Sequence, residues 1–218
     1  VPVSVEQIKL PQEAHDLLQR IEDDLTGSSA NAGLEKARIL MHQRRQQEPY
    51  KVAPTVKMAM DAMQDGRQVV IFASRVNEST IGDKEEDEDA ITSEGTMKLL
   101  REELQRQGVK PEHIAEIHGG MKKKQIPKEM ERFQSGQAKV VIATVESGGT
   151  GINLDDTAGT APRTLIMMTA PFSAVENVQA AGRVWRLKTK STPDLRYIFA
   201  DTEVDDWNSA LISKKMKT

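Results

Sequence analysis

Apolar residues follow a helical period in the first part of the chain. In the run EAHDLLQRIEDDL (13–25), leucine and isoleucine recur at helical spacing, which predicts an amphipathic helix. Two further helices are predicted at 34–47 and 55–66, on either side of Pro49 and Pro54. The first 63 residues are therefore expected to form a helical N-terminal extension.

The pattern then changes to short apolar runs that alternate with amphipathic ones. Continuous β-branched runs predict strands buried on both faces, at 68–74 (QVVIFAS), 114–120 (IAEIHGG, a strand and turn), 139–145 (KVVIATV), 163–170 (RTLIMMTA) and 195–201 (LRYIFAD). Helices are predicted at 96–108, 123–136, 173–185 and 204–217. This alternation predicts an α/β domain over residues 64–218 with a mostly parallel sheet, in which ligands bind beyond the carboxyl ends of the strands.

A strongly acidic segment follows the first of these predicted strands. Six acidic residues and one lysine lie between Asp83 and Asp89, within a polar stretch at 78–95. Like charges repel one another and resist packing, so this stretch is predicted to be a solvated, mobile loop. No spacing of ligands supports a metal site there.

Composition narrows the classes of function. Hydrophobic residues make up 38% and charged residues 29%, and the net charge of -3 excludes a molecule that is basic over its whole surface. The absence of cysteine excludes disulfides, thiolate metal sites and cysteine nucleophiles, and the four histidines form no metal-ligand pair. No apolar run approaches the roughly 20 residues of a membrane span, and no signal peptide is visible. We therefore expect an intracellular protein that does not engage membranes, and the start at Val1 suggests a piece of a longer polypeptide.

A glycine-rich loop follows the predicted strand at 139–145. It contains Gly148, Gly149 and Gly151 in the run VESGGTGINL. Glycines let the backbone turn sharply and approach a ligand, and the N–H groups of such a turn can bind phosphate oxygens. Taken alone, the motif is more often a tight turn.

Two arginines stand three positions apart in the run VENVQAAGRVWRLK. On a helix, Gln179, Arg183 and Arg186 would lie on one face, and Gly182 would allow close packing. Guanidinium groups stay charged and fork onto phosphate oxygens, so the pair suits a phosphate ligand. Such a pair by itself is also typical of a solvated helix face.

The order of these segments favours one interpretation. QVVIFAS, then IHGGM, a helix ending in FQSG, ATVESGGTGINL and QAAGRVWR together resemble the C-terminal RecA-like lobe of superfamily 2 helicases and translocases. The resemblance covers about residues 50–205. QAAGRVWR fits the QxxGRxxR pattern of motif VI at every fixed position, QVVIFAS resembles motif IV, and GGTGINL resembles motif V of Swi/Snf-type ATPases. The resemblance implies a RecA-like sheet of the P-loop NTPase type and nucleic-acid-dependent hydrolysis of ATP.

Five residues would have roles at the nucleotide. Arg186 would correspond to the arginine finger that reaches the γ-phosphate, and Arg183 to its companion. Gln179 would order the nucleotide interface, and Gly151 and Asn153 would lie near the ribose. Family members often carry aspartate where Asn153 stands.

A second set of residues would contact nucleic acid, with DNA favoured over RNA. The resemblance assigns to this set Ser74, Arg75, His118, Gly119, Thr144, Ser147 and Gly148. Contacts of this kind hold the sugar-phosphate backbone and do not read its sequence. Lys122, Lys123 and Lys124 either add phosphate contacts or form a solvated basic turn.

The chain lacks the family motifs that hold ATP. It contains no GxxxxGK[ST] loop and no DExH or DEAD box, which belong to the N-terminal RecA-like lobe. ATP and its Mg²⁺ would be held by such a lobe of the same polypeptide, and this chain alone is expected to be inactive. After Arg186 the sequence also reads LKTK where Swi/Snf-type proteins usually continue xGQ, which argues for a more distant branch.

Two other functions remain open at this point. A RecA-like module without catalysis could bind nucleic acid or a protein partner. The complete QxxGRxxR pattern argues against a motif that has lost its catalytic role. An unrelated α/β nucleotide-binding enzyme could also carry a glycine-rich loop, but here that loop lies mid-chain and lacks the GxGxxG spacing after the first strand.

Overall fold

The protein is built around one parallel sheet. The computed structural model describes residues 1–73, 93–122, 124–144 and 152–216. The strands are β1 (Val3–Ile8), β2 (Gln68–Ala73), β3 (Ile114–Ile117), β4 (Val140–Thr144), β5 (Arg163–Met167) and β6 (Asp194–Ala200). Their order is β1-β6-β5-β2-β4-β3, and every neighbouring pair is parallel. The predicted α/β fold with a RecA-like parallel sheet is confirmed.

Helices cover both faces of this sheet. They are α1 (Gln12–Leu25), α2 (Ala32–Gln64), α3 (Ser93–Arg106), α4 (Gln125–Gln134), α5 (Ala174–Ala181) and α6 (Glu203–Met216). In β2, Val69 and Ile71 pack on the side of α2 and α3, whereas Val70 and Phe72 pack on the side of α4, α5 and α6. Both faces of the strand are therefore buried, and each such side chain contributes about 1.5–3 kcal/mol of hydrophobic stabilisation.

The register of the sheet aligns the carboxyl ends of three neighbouring strands. Ala73 at the end of β2 lies opposite Thr144 at the end of β4, and Ile117 at the end of β3 lies opposite Ala143. A ligand beyond these ends would meet the residues that follow all three strands.

The first residues form a strand, not a helix. β1 pairs with β6 at one edge of the sheet, with Val5 opposite Tyr197. The expectation that residues 1–63 are helical throughout is therefore wrong at Val3–Ile8. The side chains of β1 are almost all exposed, so its sequence carries no strong core-facing pattern, and its partner lies near the other end of the chain. The division into domains at residue 63 stays a prediction.

Helix α2 continues through both of its prolines. The predicted break between Pro49 and Pro54 is wrong, although a proline inside a helix costs about 3 kcal/mol. The helix persists because it buries one face along much of its length. That face comprises Gln43, Arg44, Gln47, Glu48 and Lys51, followed by Val52, Val56, Ala59 and Ala62. Tertiary packing of this face thus outweighs the unfavourable effect of the two prolines on the helix.

The acidic loop predicted at 78–95 is described only at its end. Ser93 begins α3, three residues earlier than expected, and the part of the loop before Ser93 lies outside the described residues. The predicted helix at 123–136 is found as α4, and the one at 204–217 is found as α6.

Candidate functional site

Helix α5 ends before the two arginines. It stops at Ala181, so the expectation that Gln179, Arg183 and Arg186 share one helical face is wrong. Of the three, Gln179 lies within the helix, and both arginines lie in the turn that follows it. Gly182 caps the helix, and Val184, between the two arginines, is completely buried among the apolar side chains of the sheet and its helices.

The turn nevertheless brings the two guanidinium groups together. Arg183 Nη1 lies 3.5 Å and Arg186 Nη2 lies 3.1 Å from one acceptor, the main-chain oxygen of Ile152. Arg186 Nε also donates to the oxygen of Gly182 at 3.0 Å, which holds its side chain back along the turn. Ile152 is the first described residue after the glycine-rich loop, so the ends of predicted motifs V and VI meet at this oxygen.

The electrostatics of this pair favour an anion. Burial of its side chain, together with the charge of Arg186, lowers the pKa of Arg183. Arg183 is half-buried and Arg186 is exposed, and among the described residues no carboxylate pairs with Arg186. Two cations held this close repel each other, and an anion that bridged them would relieve the repulsion.

The other residues predicted at the nucleotide are less closely arranged. Gln179 is exposed on α5. Asn153 follows Ile152 directly, and its side-chain oxygen is buried without a hydrogen-bond partner in the described part of the chain. Gly151 lies outside the described residues. The roles of all three stay predictions.

Buried polar residues that the sequence did not indicate hold segment 152–156 in place. Arg163, at the start of β5, is 2% exposed, and its guanidinium donates to the Leu154 oxygen at 2.9 Å. Asp156 accepts hydrogen bonds from the Gly159 N–H at 2.8 Å and the Ser191 hydroxyl at 2.6 Å. Burial alone would raise the pKa of Asp156, but these hydrogen bonds and the charge of Arg163 lower it. The sequence contains one indication of this network, which is the charged residue Arg163 at the start of the otherwise mostly apolar run 163–170.

A second buried network fixes the segment between β5 and α5. Arg44 Nη2 donates to the Ala170 oxygen at 2.9 Å, and its guanidinium lies 4.7 Å from the ring centre of Phe172. Glu48 accepts from the Thr169 hydroxyl at 2.5 Å and from the Thr96 hydroxyl at 2.9 Å. Helix α2 therefore sets the point from which the chain enters α5.

The residues predicted to contact nucleic acid lie at the carboxyl edge of the sheet. Thr144 ends β4 with its side chain buried, and His118 and Gly119 follow β3, the neighbouring strand. His118 is half-buried, and its Nδ1 has no hydrogen-bond partner in the described part of the chain. The structure thus places the described members of this set on neighbouring strand ends. The other members, Ser74, Arg75, Ser147 and Gly148, lie outside the described residues.

Charged residues surround this edge. Of the three predicted lysines, Lys122 and Lys124 are exposed near the start of α4, and Lys123 lies outside the described residues. Lys128 is exposed nearby, and within the described ranges none of these lysines pairs with a carboxylate. An open cavity of about 430 Å³ lies beside His118, and its two arginines are neutralised by glutamates. The distances are 2.6 Å for Arg101–Glu116 and 2.7 Å for Arg132–Glu129. Excess positive charge is therefore found on the lysines and not in the cavity.

The described part of the chain offers neither a membrane-spanning helix nor a cluster of metal ligands. No helix there is long and apolar enough to cross a membrane. No three His, Asp or Glu side chains are grouped there as a metal site would require.

Solved structures with a similar fold come from ATPase domains. The C-terminal part of the Fun30 ATPase domain has a TM-score of 0.65 at 10% sequence identity, over 97% of this chain and 88% of that one. The Sulfolobus solfataricus SWI2/SNF2 ATPase C-terminal domain has a TM-score of 0.66 at 14% identity, over 100% of this chain and 87% of that one. At these identities the likeness shows the fold alone.

Comparison by sequence supplies the family. No curated protein matches the chain significantly. The helicase conserved C-terminal domain matches residues 51–188, which include predicted motifs IV, V and VI. This match spans more than half of the chain. The chain therefore belongs to the helicase conserved C-terminal domain family, whose domain is the C-terminal RecA-like lobe of superfamily 2 helicases and translocases.

Proposed function

We propose that this chain is the C-terminal lobe of a nucleic-acid-dependent ATPase, and that it supplies two arginines to ATP held by a companion lobe. The observation that supports this most directly is the approach of Arg183 and Arg186 to the single oxygen of Ile152. A pair of close guanidinium groups matches the charge of a transferring γ-phosphoryl group, which needs electrostatic stabilisation more than acid–base chemistry.

The two arginines have different roles in this proposal. Arg186 is exposed and can reach a ligand outside the lobe, so it is the arginine finger. Arg183 is half-buried and nearer to the core, so it is the companion that positions the same phosphate oxygens. Gln179, Gly151 and Asn153 complete the nucleotide side of the cleft. Mg²⁺ and the Walker motifs belong to the companion N-terminal RecA-like lobe, because this chain carries no GxxxxGK[ST] loop.

The nucleic acid binds at the carboxyl edge of the sheet. His118, Gly119 and Thr144 stand there on neighbouring strands, and Ser74, Arg75, Ser147 and Gly148 adjoin the ends of β2 and β4 in sequence. Contacts to the sugar-phosphate backbone let the lobe hold a strand without reading its sequence. DNA is favoured over RNA as the nucleic acid because motif V resembles that of Swi/Snf-type ATPases.

ATP links the two sites through closure of the lobes. Closure brings both arginines onto the γ-phosphate, and hydrolysis releases them. Alternate grip by the two lobes then moves the protein along the strand. The chain on its own lacks the groups that hold ATP and is therefore inactive.

The test uses the polypeptide that joins this chain to an ATP-binding lobe. Its ATP hydrolysis is measured with and without nucleic acid, beside the Arg186→Ala variant. We expect the variant to lose about 10³-fold or more in kcat. Arg20→Ala, which removes an exposed arginine of α1, is the matched control and should leave kcat unchanged.

Two results would count against the proposal. Equal kcat for Arg186→Ala and the parent would remove the arginine finger. An inactive parent whose isolated C-terminal chain still binds nucleic acid tightly would favour the non-catalytic binding module.

A further inference from the structure

Segment 152–156 joins the two arginines to the rest of the lobe. Its first residue, Ile152, offers the oxygen shared by Arg183 and Arg186. Its third residue, Leu154, donates its N–H to the Arg183 oxygen at 2.9 Å. The position of this segment therefore sets the position of both guanidinium groups.

The same segment is gripped from its other side by two side chains. Gln134 Nε2, at the end of α4, donates to the oxygens of Asn153 at 2.9 Å and Asp155 at 3.1 Å. Arg163 Nε donates to the oxygen of Leu154 at 2.9 Å. Three consecutive carbonyl groups are thus held by two residues, which we call the clamp.

The clamp is itself rigidly supported. Arg163 Nη2 donates to Gln134 Oε1 at 3.1 Å, so its two members are joined. The Arg163 guanidinium also donates to Gln68 Oε1 on β2 and lies 4.8 Å from the ring centre of Phe133. Gln68 in turn donates to the Phe133 oxygen at 2.7 Å. Hydrogen bonds and packing on several sides leave the clamp little freedom to move.

A second path runs from the segment to Arg186. The Arg186 N–H donates to the Thr189 hydroxyl at 2.7 Å, and this hydroxyl donates to Asp155 Oδ2 at 2.9 Å. The Lys190 N–H donates to the Asp156 oxygen at 2.9 Å. Both arginines are therefore tied to the backbone that the clamp holds.

We propose that Gln134 and Arg163 are positioning residues for Arg183 and Arg186, acting through the backbone of segment 152–156. This role rests on the proposed ATPase function, because the arginines must first act on ATP for their position to matter. Catalysis by placed charges depends steeply on geometry, so a small shift of the segment is sufficient to lower the rate.

Gln134→Met is the informative variant. Methionine keeps the length of the side chain and removes all three hydrogen bonds, at a partly exposed position where the fold is expected to survive. Gln105→Met, the same change at an exposed position of α3, is the matched control. Arg163→Lys is a second variant, which keeps the positive charge and loses the planar set of N–H donors of the guanidinium group.

The first readout uses this chain alone. Amide hydrogen exchange at Leu154 reports the bond to Arg183, and exchange at Val70 in the central strand reports the core. We expect Gln134→Met to speed exchange at Leu154 about tenfold or more while Val70 is unchanged, as in local opening. Unchanged exchange at Leu154 would show that the clamp does not hold the segment.

The second readout is ATP hydrolysis by the two-lobe polypeptide. We expect Gln134→Met to lower kcat about tenfold. The KM for ATP should stay within about twofold, because the companion lobe holds the nucleotide. Normal kcat in Gln134→Met and Arg163→Lys, with activity lost in Arg186→Ala, would overturn the positioning role and leave the proposed function intact. Full activity in Arg186→Ala would instead overturn the proposed function, and the positioning role with it.

Discussion

Lys51 of α2 and Asp205 of α6 form an ion pair of 2.5 Å in which the two side chains are 1% and 5% exposed. Asp205 also accepts hydrogen bonds from Gln47 Nε2 at 2.8 Å and from the Ala200 N–H at 2.7 Å. Burial lowers the pKa of Lys51, and the neighbouring carboxylate of Asp205 opposes that shift. The pair joins the long helix α2 to the last strand and the last helix of the lobe.

Removal of one partner of this pair should destabilise the protein strongly. Lys51→Met or Asp205→Asn leaves an uncompensated buried group, and we expect the free energy of unfolding to fall by about 3–5 kcal/mol in urea titrations. The control is Glu102→Gln, which breaks the exposed pair Lys98–Glu102 and should change stability by less than about 0.5 kcal/mol. Similar losses in the buried and exposed pairs would contradict this account.

Replacement of the arginines by lysine should separate charge from geometry. Lysine keeps the positive charge but cannot fork onto two phosphate oxygens, so we expect Arg186→Lys to lower kcat of the two-lobe polypeptide by about 10²-fold or more. Arg183→Lys should show a smaller loss, and the double variant less than the product of the two losses, because both residues act on one phosphate. Arg20→Lys serves as the control. Near-normal activity in Arg186→Lys would mean that charge alone suffices.

The lysines near α4 should contribute to the salt dependence of nucleic-acid binding. If Lys124 contacts a phosphate, Lys124→Ala should reduce the slope of log K against log salt concentration by about 0.7–0.9. His118→Ala, at the end of the neighbouring strand β3, should also weaken binding. Lys57→Ala, at an exposed position of α2, is the matched control. An unchanged slope in Lys124→Ala would assign that lysine to a solvated turn.

Because of Tyr197, the free energy of unfolding of the protein should fall at alkaline pH. Burial raises the pKa of Tyr197 above its ordinary value of 10.0. Above that pH the unfolded chain loses the phenol proton while the folded chain retains it, so the free energy of unfolding falls as pH rises. Tyr197→Phe should remove this contribution, whereas Tyr50→Phe, at the second of the two tyrosines, should retain it. Unfolding titrations of the variants at pH values from about 9 to 11 test the difference.

The sheet and its motifs could be predicted from local pattern. The β2 run Gln68–Ala73 and the β4 run Val140–Thr144 are apolar at nearly every position, which is typical of strands covered on both faces. Arg183 and Arg186 were recognisable because the fixed positions of QxxGRxxR lie close together in sequence. Features that depend only on residues close together in sequence could therefore be predicted without the structure.

Long-range contacts decided the features that were predicted wrongly or not at all. β1 becomes a strand because β6 supplies its hydrogen-bond partners, and α2 continues through Pro49 and Pro54 because both halves of one face are buried. Beyond the end of α5 at Ala181, Val184 is completely buried, a tertiary contact that helical spacing does not report.

The sequence by itself determined the class of fold and the family, and it singled out the two arginines as candidates, because hydrophobic period and a short motif are local properties. The tertiary structure decided that the arginines lie in a turn, that they meet at Ile152, and that Gln134 and Arg163 hold the segment between them. A polar side chain has the same identity whether it is solvated or buried. Its partners, and hence its role, are set by residues distant in sequence that only the folded chain brings within hydrogen-bond distance.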